Sequence, residues 1–181
     1  MFFSDQIGIE FEPFGFVHIL LFLCIIIGAS VIIVYREKIR NYKYERRLAI
    51  GIASFAFLWE IALYTWIAFH GNWNFGENLP LGLCGMTLYV GIFAMYFKKF
   101  GLFEIGYYWT WGAIASVLFP DILYSFDRFR FYQFMFGHML FFFMFLYMIF
   151  IYQWYPTWKS WRKSIRTLSI ITVILTVTSF V

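Results

Sequence analysis

The sequence predicts an all-α protein, a polytopic bundle of transmembrane helices. Hydrophobic residues make up 62% of the 181 residues, charged residues make up 13%, and the mean hydropathy is +0.73. Soluble domains carry roughly 25% charged and about 45–50% apolar residues, so a soluble protein is excluded. Intrinsic disorder is excluded as well, because it requires low hydrophobicity and high net charge. The apolar runs are continuous and do not alternate with polar residues, which favours helices over barrel strands.

The lengths of the apolar runs predict where the helices lie. A helix needs about 20 residues to cross ~30 Å of hydrocarbon. We expect a single membrane domain over residues 1–181, with six helices at residues 13–35, 48–69, 81–97, 103–119, 131–155 and 164–181. The apolar part of the last run, from Thr167, reaches only ~22 Å. Either that helix starts earlier, near Trp161, or the chain is a fragment of a seven-helix protein, and we favour the fragment.

The positions of the basic residues predict the orientation. Of the 14 Lys and Arg residues, 12 lie in three connections that alternate along the chain, at residues 36–47, 98–99 and 159–166. Because basic loops stay in the cytoplasm, the N-terminus is predicted to lie outside. We expect a multi-pass protein of the cell membrane. The net charge of +4 follows from this topology, so no nucleic-acid partner is expected.

Four ionisable residues interrupt the apolar runs, and such residues are functional candidates by default. They are His18, Glu60, Cys84 and His138. The predicted topology places all four in the outer half of the membrane and nothing comparable in the inner half. The sequence therefore predicts one polar cavity that opens outward. No His-x-x-x-His or Cys-x-x-Cys spacing is present, so no metal and no other cofactor is expected.

Cys84 follows Pro80, which suits the first turn of a helix. Unpaired N–H groups and the helix dipole favour a thiolate at that position. His138 can act as its base, as in Cys–His acyl transfer, and we expect Glu60 to hold the second nitrogen of that histidine. Tyr64, four residues after Glu60, can donate it a hydrogen bond. The alternatives are that Cys84 is a small packing residue and that His138 only bonds across a helix interface.

The predicted outer loop after the fourth helix carries charges of both signs. Pro120 and Asp121 end that helix. Arg128 and Arg130 lie outside, against the general distribution of basic residues. They either pair with the loop aspartates or hold a lipid phosphate at the mouth of the cavity. His18 and Tyr64 complete the expected substrate-binding set.

Several stretches carry a resemblance to a known family, and their order along the chain is specific. They are Leu79-Pro80-Leu81-x-Leu83-Cys84, Leu118-Phe119-Pro120-Asp121, Phe129-Arg130-Phe131-x-Gln133-Phe134, and Gly137-His138 followed by an apolar run with Tyr147. With Glu60 and Tyr64 they resemble the YwaF family of bacterial integral membrane proteins, which is related to a eukaryotic transmembrane acyltransferase family. The family commonly reads Leu-Pro-Leu-His-Leu-Cys, and here Gly82 stands in place of that His. Family members also look longer, with a seventh helix.

The resemblance implies an acyltransferase that acts on lipid through a cysteine, with Cys84 as nucleophile and His138 as its partner. Two functions stay open: a membrane acyltransferase or lipid hydrolase, and a transporter or lipid-handling protein that uses Glu60 and the histidines as a proton or ion path. The sequence contains no inverted repeat, a feature that would favour transport. Membrane lipids are the expected environment and substrate, and the sequence assigns no oligomeric state.

The orientation can be tested by cysteine-accessibility mapping with a reagent that does not cross the membrane. A cysteine placed at Asn74 should be labelled from outside, and one placed at Asn41 should not, because Asn41 lies within the most basic connection. The reverse labelling would overturn both the orientation and the outward-facing cavity.

Overall fold

The computed structural model describes residues 2–74 and 78–179, and these residues form a bundle of seven α-helices. In chain order the helices are α1 (Phe16–Val34), α2 (Arg36–Arg40), α3 (Glu45–Phe69), α4 (Leu83–Phe97), α5 (Phe100–Leu118), α6 (Phe129–Phe150) and α7 (Trp158–Ser179). The predicted fold class, an all-α membrane helix bundle, is confirmed. By length and composition α1, α3 and α6 can cross a membrane, and α4 is a shorter apolar helix.

Long helices follow one another in alternating directions, so the bundle has two ends. We call the end at which α1 begins the outer end and the opposite one the inner end, after the predicted orientation. α4 contacts α3, α5 and α6, and α5 also contacts α6 and α7, whereas α1 packs on α6. The helices α3 to α6 therefore form the centre of the bundle, with α1 and α7 added on its outside.

Small residues allow these central helices to approach closely. Ala49, Ala53 and Ala56 of α3 are buried. A Cβ atom at Gly91 or Gly106 would meet the ring of Phe145, a buried residue of α6. Because lipid is as apolar as leucine, close packing at small residues is a main source of helix association in membranes.

The last helix begins earlier than the expected residue 164. Thr157 and Ser160 cap its first turn reciprocally, since the backbone N–H of each donates to the hydroxyl of the other, at 3.1 and 3.3 Å. This start at Trp158 gives 22 residues, about 33 Å of helix. The expected start was too late because the first turn carries Lys159, Arg162 and Lys163 and so does not read as apolar. Residues 180 and 181 of the predicted helix lie outside the described residues.

Several other helices also begin or end at residues that differ from those expected from the sequence. α3 begins at Glu45 and α5 at Phe100, each with a polar or interfacial first turn ahead of the expected apolar run. α6 ends at Phe150 instead of residue 155, and Gln153 just beyond it has a positive φ of 57°. The short helix α2 lies in the basic connection, where no helix was expected.

Polar networks hold the inner end of the bundle together, which corrects the expectation that nothing comparable to the outer cluster lies there. Glu104 of α5 accepts hydrogen bonds from Ser160 at 2.7 Å and from Lys163 at 3.0 Å, both on α7. Arg46 of α3 donates to the carbonyl oxygens of Met95 and Tyr96 at the end of α4. These partners are more than 45 residues apart in the sequence, so only the packing of the helices brings them together.

The N-terminal segment ties the outer end together through backbone atoms. The carbonyl oxygen of Phe2 accepts from the N–H of Phe129 at 2.9 Å, and that of Phe3 accepts from the indole of Trp66 at 2.8 Å. Tyr124 donates to the carbonyl oxygen of Asp5 at 2.8 Å. The segment thereby fixes the ends of α3 and α6 that enclose the site described below.

The network of Glu104 should be worth measurable stability. Glu104→Ala removes the shared partner of Ser160 and Lys163, and we expect it to cost about 1–3 kcal/mol, seen as a lower Tm in detergent or nanodiscs. The matched control is Glu37→Ala, because the Glu37 side chain is 62% exposed and should change stability by no more than about 0.5 kcal/mol. Equal Tm values for the two variants would contradict this role.

Candidate functional site

A cavity of about 340 Å³ lies between α3, α4, α5 and α6 and reaches the outer end of the bundle. Its polar lining consists of Glu60, Cys84, Ser116, Asp121, Arg130, Gln133 and His138, and leucine, glycine and phenylalanine residues complete the wall. Five of the site residues expected from the sequence therefore meet at one cavity: Glu60, Cys84, Asp121, Arg130 and His138. They come from four different segments of the chain.

Cys84 is the second residue of α4 and lies in its first turn. Gly82 precedes the helix in an extended conformation, and no side chain caps this helix end. The first N–H groups of a helix have no acceptor within it, so the thiol lies at the partially positive end of the helix. Its sulfur is 3.9 Å from the hydroxyl oxygen of Ser116, either of which can donate. The sulfur therefore lies in the first turn of a helix and within weak hydrogen-bond distance of one hydroxyl.

His138 has one nitrogen that is bonded and one that is free. Its Nδ1 is 2.8 Å from the carbonyl oxygen of Phe134. A carbonyl can only accept, so in the neutral ring Nδ1 carries the proton and Nε2 carries the lone pair. Nε2 is buried and has no hydrogen-bond partner among the described residues. The expectation that Glu60 holds the second nitrogen is wrong, because the backbone one turn earlier on α6 does so.

Glu60 and Arg130 both lie on the wall of the cavity. Glu60 is 7% exposed and interacts with the hydroxyl of Tyr64. Arg130 interacts electrostatically with Glu60 and donates a hydrogen bond to the side-chain oxygen of Gln133. In the part of the chain that the structure describes, Arg130 forms no contact ion pair within 4 Å, so its guanidinium keeps donors for an anion. Tyr64 interacts with the side chain of Glu60 but does not itself line the cavity.

Two of the expected substrate-binding residues lie elsewhere. His18 is fully buried: its Nδ1 accepts from the N–H of Phe14 at 2.9 Å, and its Nε2 is 2.7 Å from the carbonyl oxygen of Val117. Arg128 pairs with Asp127 at 2.6 Å and donates to the carbonyl oxygen of Gln6 at 2.9 Å. Neither lines the cavity. His18 joins α1 to α5, and Arg128 joins the N-terminal segment to the outer loop.

Three groups at the site were not singled out from the sequence. Gln133 lies three residues after Arg130, a spacing that places the two side chains on one helix face and could have indicated their bond. The carbonyl of Phe134 and the hydroxyl of Ser116 carry no such signal. The first is a backbone group, and the second meets Cys84 only because α4 packs on α5.

No group of three or more His, Cys, Asp and Glu residues that could hold a metal ion occurs within residues 2–74 and 78–179. The groups that line the cavity include a thiol, an imidazole, a carboxyl group and a guanidinium. Such a set suits nucleophilic catalysis on an ester that carries an anionic group.

Comparison with known proteins identifies the family. A family model described as the TMEM164 family matches residues 13–181. The chain belongs to the TMEM164 family. The matched range includes all seven helices and every residue that lines the cavity. No curated protein matches the chain, and no solved structure matches it. Membership in this transmembrane family agrees with the membrane-protein fold, and the bacterial YwaF assignment stays a prediction.

The two buried histidines of this TMEM164-family chain should differ in their effect on stability. His18→Ala removes two hydrogen bonds to backbone groups of different segments, whereas His138→Ala removes one bond within a single helix turn. We expect His18→Ala to destabilise the protein by at least about 1 kcal/mol more than His138→Ala. The comparison of Tm values in the same nanodiscs tests this, and a larger loss for His138→Ala would contradict the assigned roles.

Proposed function

We propose that this TMEM164-family chain is an integral membrane acyltransferase, or a lipid hydrolase, that acts on phospholipid acyl chains with Cys84 as nucleophile and His138 as general base. One observation carries the proposal: His138, whose buried Nε2 has no hydrogen-bond partner among the described residues, lines the same cavity as Cys84. Unpaired buried polar atoms cost free energy, and functional sites are where that cost is retained.

The first step transfers the acyl group to the enzyme. Nε2 of His138 takes the thiol proton of Cys84 while the sulfur attacks the carbonyl carbon of a phospholipid ester. A carbon–sulfur bond forms and the ester carbon–oxygen bond breaks. The imidazolium then gives its proton to the departing alkoxide, which leaves as a lysophospholipid. The products of this half-reaction are an acyl thioester at Cys84 and a neutral histidine.

The second step decides between transfer and hydrolysis. The hydroxyl of a lysophospholipid acceptor, or water, loses its proton to Nε2 of His138 and attacks the thioester carbon. The carbon–sulfur bond breaks, and His138 returns the proton to the Cys84 sulfur. With a lipid acceptor the enzyme is an acyltransferase, and with water it is a hydrolase. No cofactor or oxidant is needed, since the electrons balance within each step.

Charged groups at the cavity orient the substrate in this proposal. Arg130 binds the phosphate, because a planar guanidinium offers paired donors to phosphate oxygens. Glu60, with Tyr64 behind it, balances the charge of Arg130 in the low-dielectric interior. Asp121 lies exposed at the rim, where it meets the headgroup first. Arg128 is less suited to the phosphate than Arg130, since Asp127 already pairs with it.

A transport function that uses Glu60 and the histidines as an ion path has less support. His18 is separated from the cavity, and both of its nitrogens are occupied by backbone groups. On the inner side of Phe141, the space between α4 and α6 is filled by Ile92, Met144, Phe145 and Met148. Apolar packing of this kind offers no relay for a proton or an ion.

Turnover of a labelled phospholipid in nanodiscs tests the proposal. Cys84→Ala should abolish release and transfer of the acyl group, and Cys84→Ser should leave little activity, because a hydroxyl ionises far less readily than a thiol. His138→Ala should lower the rate by roughly 10²–10⁴-fold. Glu60→Gln should slow it less than any of these.

The matched control is Cys24→Ala, because Cys24 is exposed on α1, away from the cavity. It should retain the activity of the unchanged protein. Undiminished turnover in Cys84→Ala would rule out Cys84 as the nucleophile and with it the proposed mechanism.

A further inference from the structure

Two apolar grooves lie along the surface of α5 and α6, and one of them shares a lining residue, His138, with the cavity. The first, of about 130 Å³, lies between α1, α5 and α6, and His138 forms part of its wall as well as of the cavity wall. The second, of about 150 Å³, follows α5 and α6 toward the inner end as far as Tyr107 and Ile149. Ile114 and Phe142 line both grooves. We call the two together the α5–α6 groove.

The groove has the length of one lipid acyl chain. Along α6 it runs from His138 to Ile149, which is 11 residues or about 16 Å of helix. Along α5 it runs from Leu118 to Tyr107, which is 11 residues or about 16 Å. Half of a hydrocarbon core of ~30 Å is about 15 Å, the depth that the chain of a lipid in one leaflet fills.

The lining of the groove suits a hydrocarbon and no polar ligand. Apart from His138 at its outer limit, the groove is lined by apolar and aromatic side chains and by Thr110. The hydroxyl of Thr110 donates to the carbonyl oxygen of Gly106 at 3.0 Å, so it is already used within α5. Trp111 at the edge of the groove is 60% exposed. Because no water is present at that depth of a membrane, the occupant must be apolar and can enter sideways from the lipid.

From the outer end inward, the charged residues, the cavity and the apolar groove follow one another in the same order as the phosphate, ester and acyl chain of a phospholipid. Arg130 and Asp121 lie toward the outer end, Cys84 and His138 line the same cavity, and the α5–α6 groove continues from His138 toward the inner end. A phospholipid with its headgroup at the outer end presents phosphate, ester and chain in the same sequence. A second protein helix would fit this arrangement less well, since it presents no phosphate and no ester to the cavity that shares His138 with the groove.

We infer that the α5–α6 groove is the acyl-chain site of this protein, which holds the chain of a membrane phospholipid while its ester lies between Cys84 and His138, and which thereby selects substrates by chain length. The choice of ester chemistry rests on the proposed function. The binding of a chain in the groove does not depend on it, so the two can be tested separately.

Photo-cross-linking tests the binding. The protein is placed in nanodiscs with a phosphatidylcholine that carries a diazirine either near the ester or at the end of the acyl chain, and the cross-linked peptides are sequenced. The probe near the ester should label the residues around His138, and the terminal probe should label those around Ile149. Labelling confined to exposed lipid-facing residues such as Phe55 and Leu58 of α3, equal for both probes, would overturn the inference.

A substitution that fills the groove tests the selection. Ile114→Trp should lower the turnover of long-chain relative to short-chain phospholipids by roughly tenfold or more, because the bulky ring blocks the point that both grooves share. The matched control is Ile61→Trp, since Ile61 is 42% exposed on α3 and lines neither groove. It should leave the ratio unchanged. An unchanged ratio in Ile114→Trp would count against chain selection.

The outcomes separate the two proposals. If cross-links follow the groove but Cys84→Ala still turns lipid over, the chain site stands and the thiol mechanism fails. If turnover depends on Cys84 but the cross-links miss the groove, the mechanism stands and the chain site fails. Folding of Ile114→Trp is checked by its Tm and by alkylation of Cys84 with a small maleimide, which should proceed as in the unchanged protein.

Discussion

A bond between the ring of His138 and a backbone carbonyl one turn earlier is the constraint on which the site depends. That carbonyl, of Phe134, accepts a hydrogen bond from Nδ1–H, so the lone pair lies on Nε2, which has no hydrogen-bond partner among the described residues. Because the bond is made within α6, it needs no side chain from another helix. The packing of α4 against α5 and α6 brings the thiol of Cys84 to the same cavity.

The rest of the bundle keeps that cavity open at one end and closed at the other. At the outer end, backbone bonds from the N-terminal segment and the pair of Arg128 with Asp127 fix the segment between α5 and α6. At the inner end, Glu104 with Lys163 holds α7 to α5, and methionine and phenylalanine side chains fill the interior. Unpaired charge is expensive in lipid, so the described ionic groups lie at these ends or around the cavity. The α5–α6 groove shares His138 with the polar cavity, and its lining includes no Asp, Glu, Lys or Arg.

The sequence predicted the parts of this structure that depend on composition and on local signals. The helical class and the residues Glu60, Cys84 and His138 follow from long apolar runs with rare polar interruptions, and the structure places all three on one cavity. The features that the sequence did not predict depend on packing between distant segments of the chain. His18 looked equivalent to His138, but its two backbone partners place it between α1 and α5. The role of Glu104 has no local signal in the sequence, because its partners Ser160 and Lys163 lie 56 and 59 residues away. The reciprocal cap of Thr157 and Ser160 could have predicted where α7 begins. The basic residues that follow it interrupt the apolar pattern, so the predicted helix began later.

The most direct test of the central claim is to trap the acyl group on the enzyme. The protein in nanodiscs is incubated with a phospholipid of defined acyl chain and no lysophospholipid acceptor, then digested and analysed by mass spectrometry. The account predicts a mass increase of one fatty acyl group on the peptide that contains Cys84, removed by neutral hydroxylamine and absent in His138→Ala, with Cys24 unmodified in the same sample. Acyl transfer that proceeds with no thioester at Cys84, or equal acylation of Cys24 and Cys84, would contradict it.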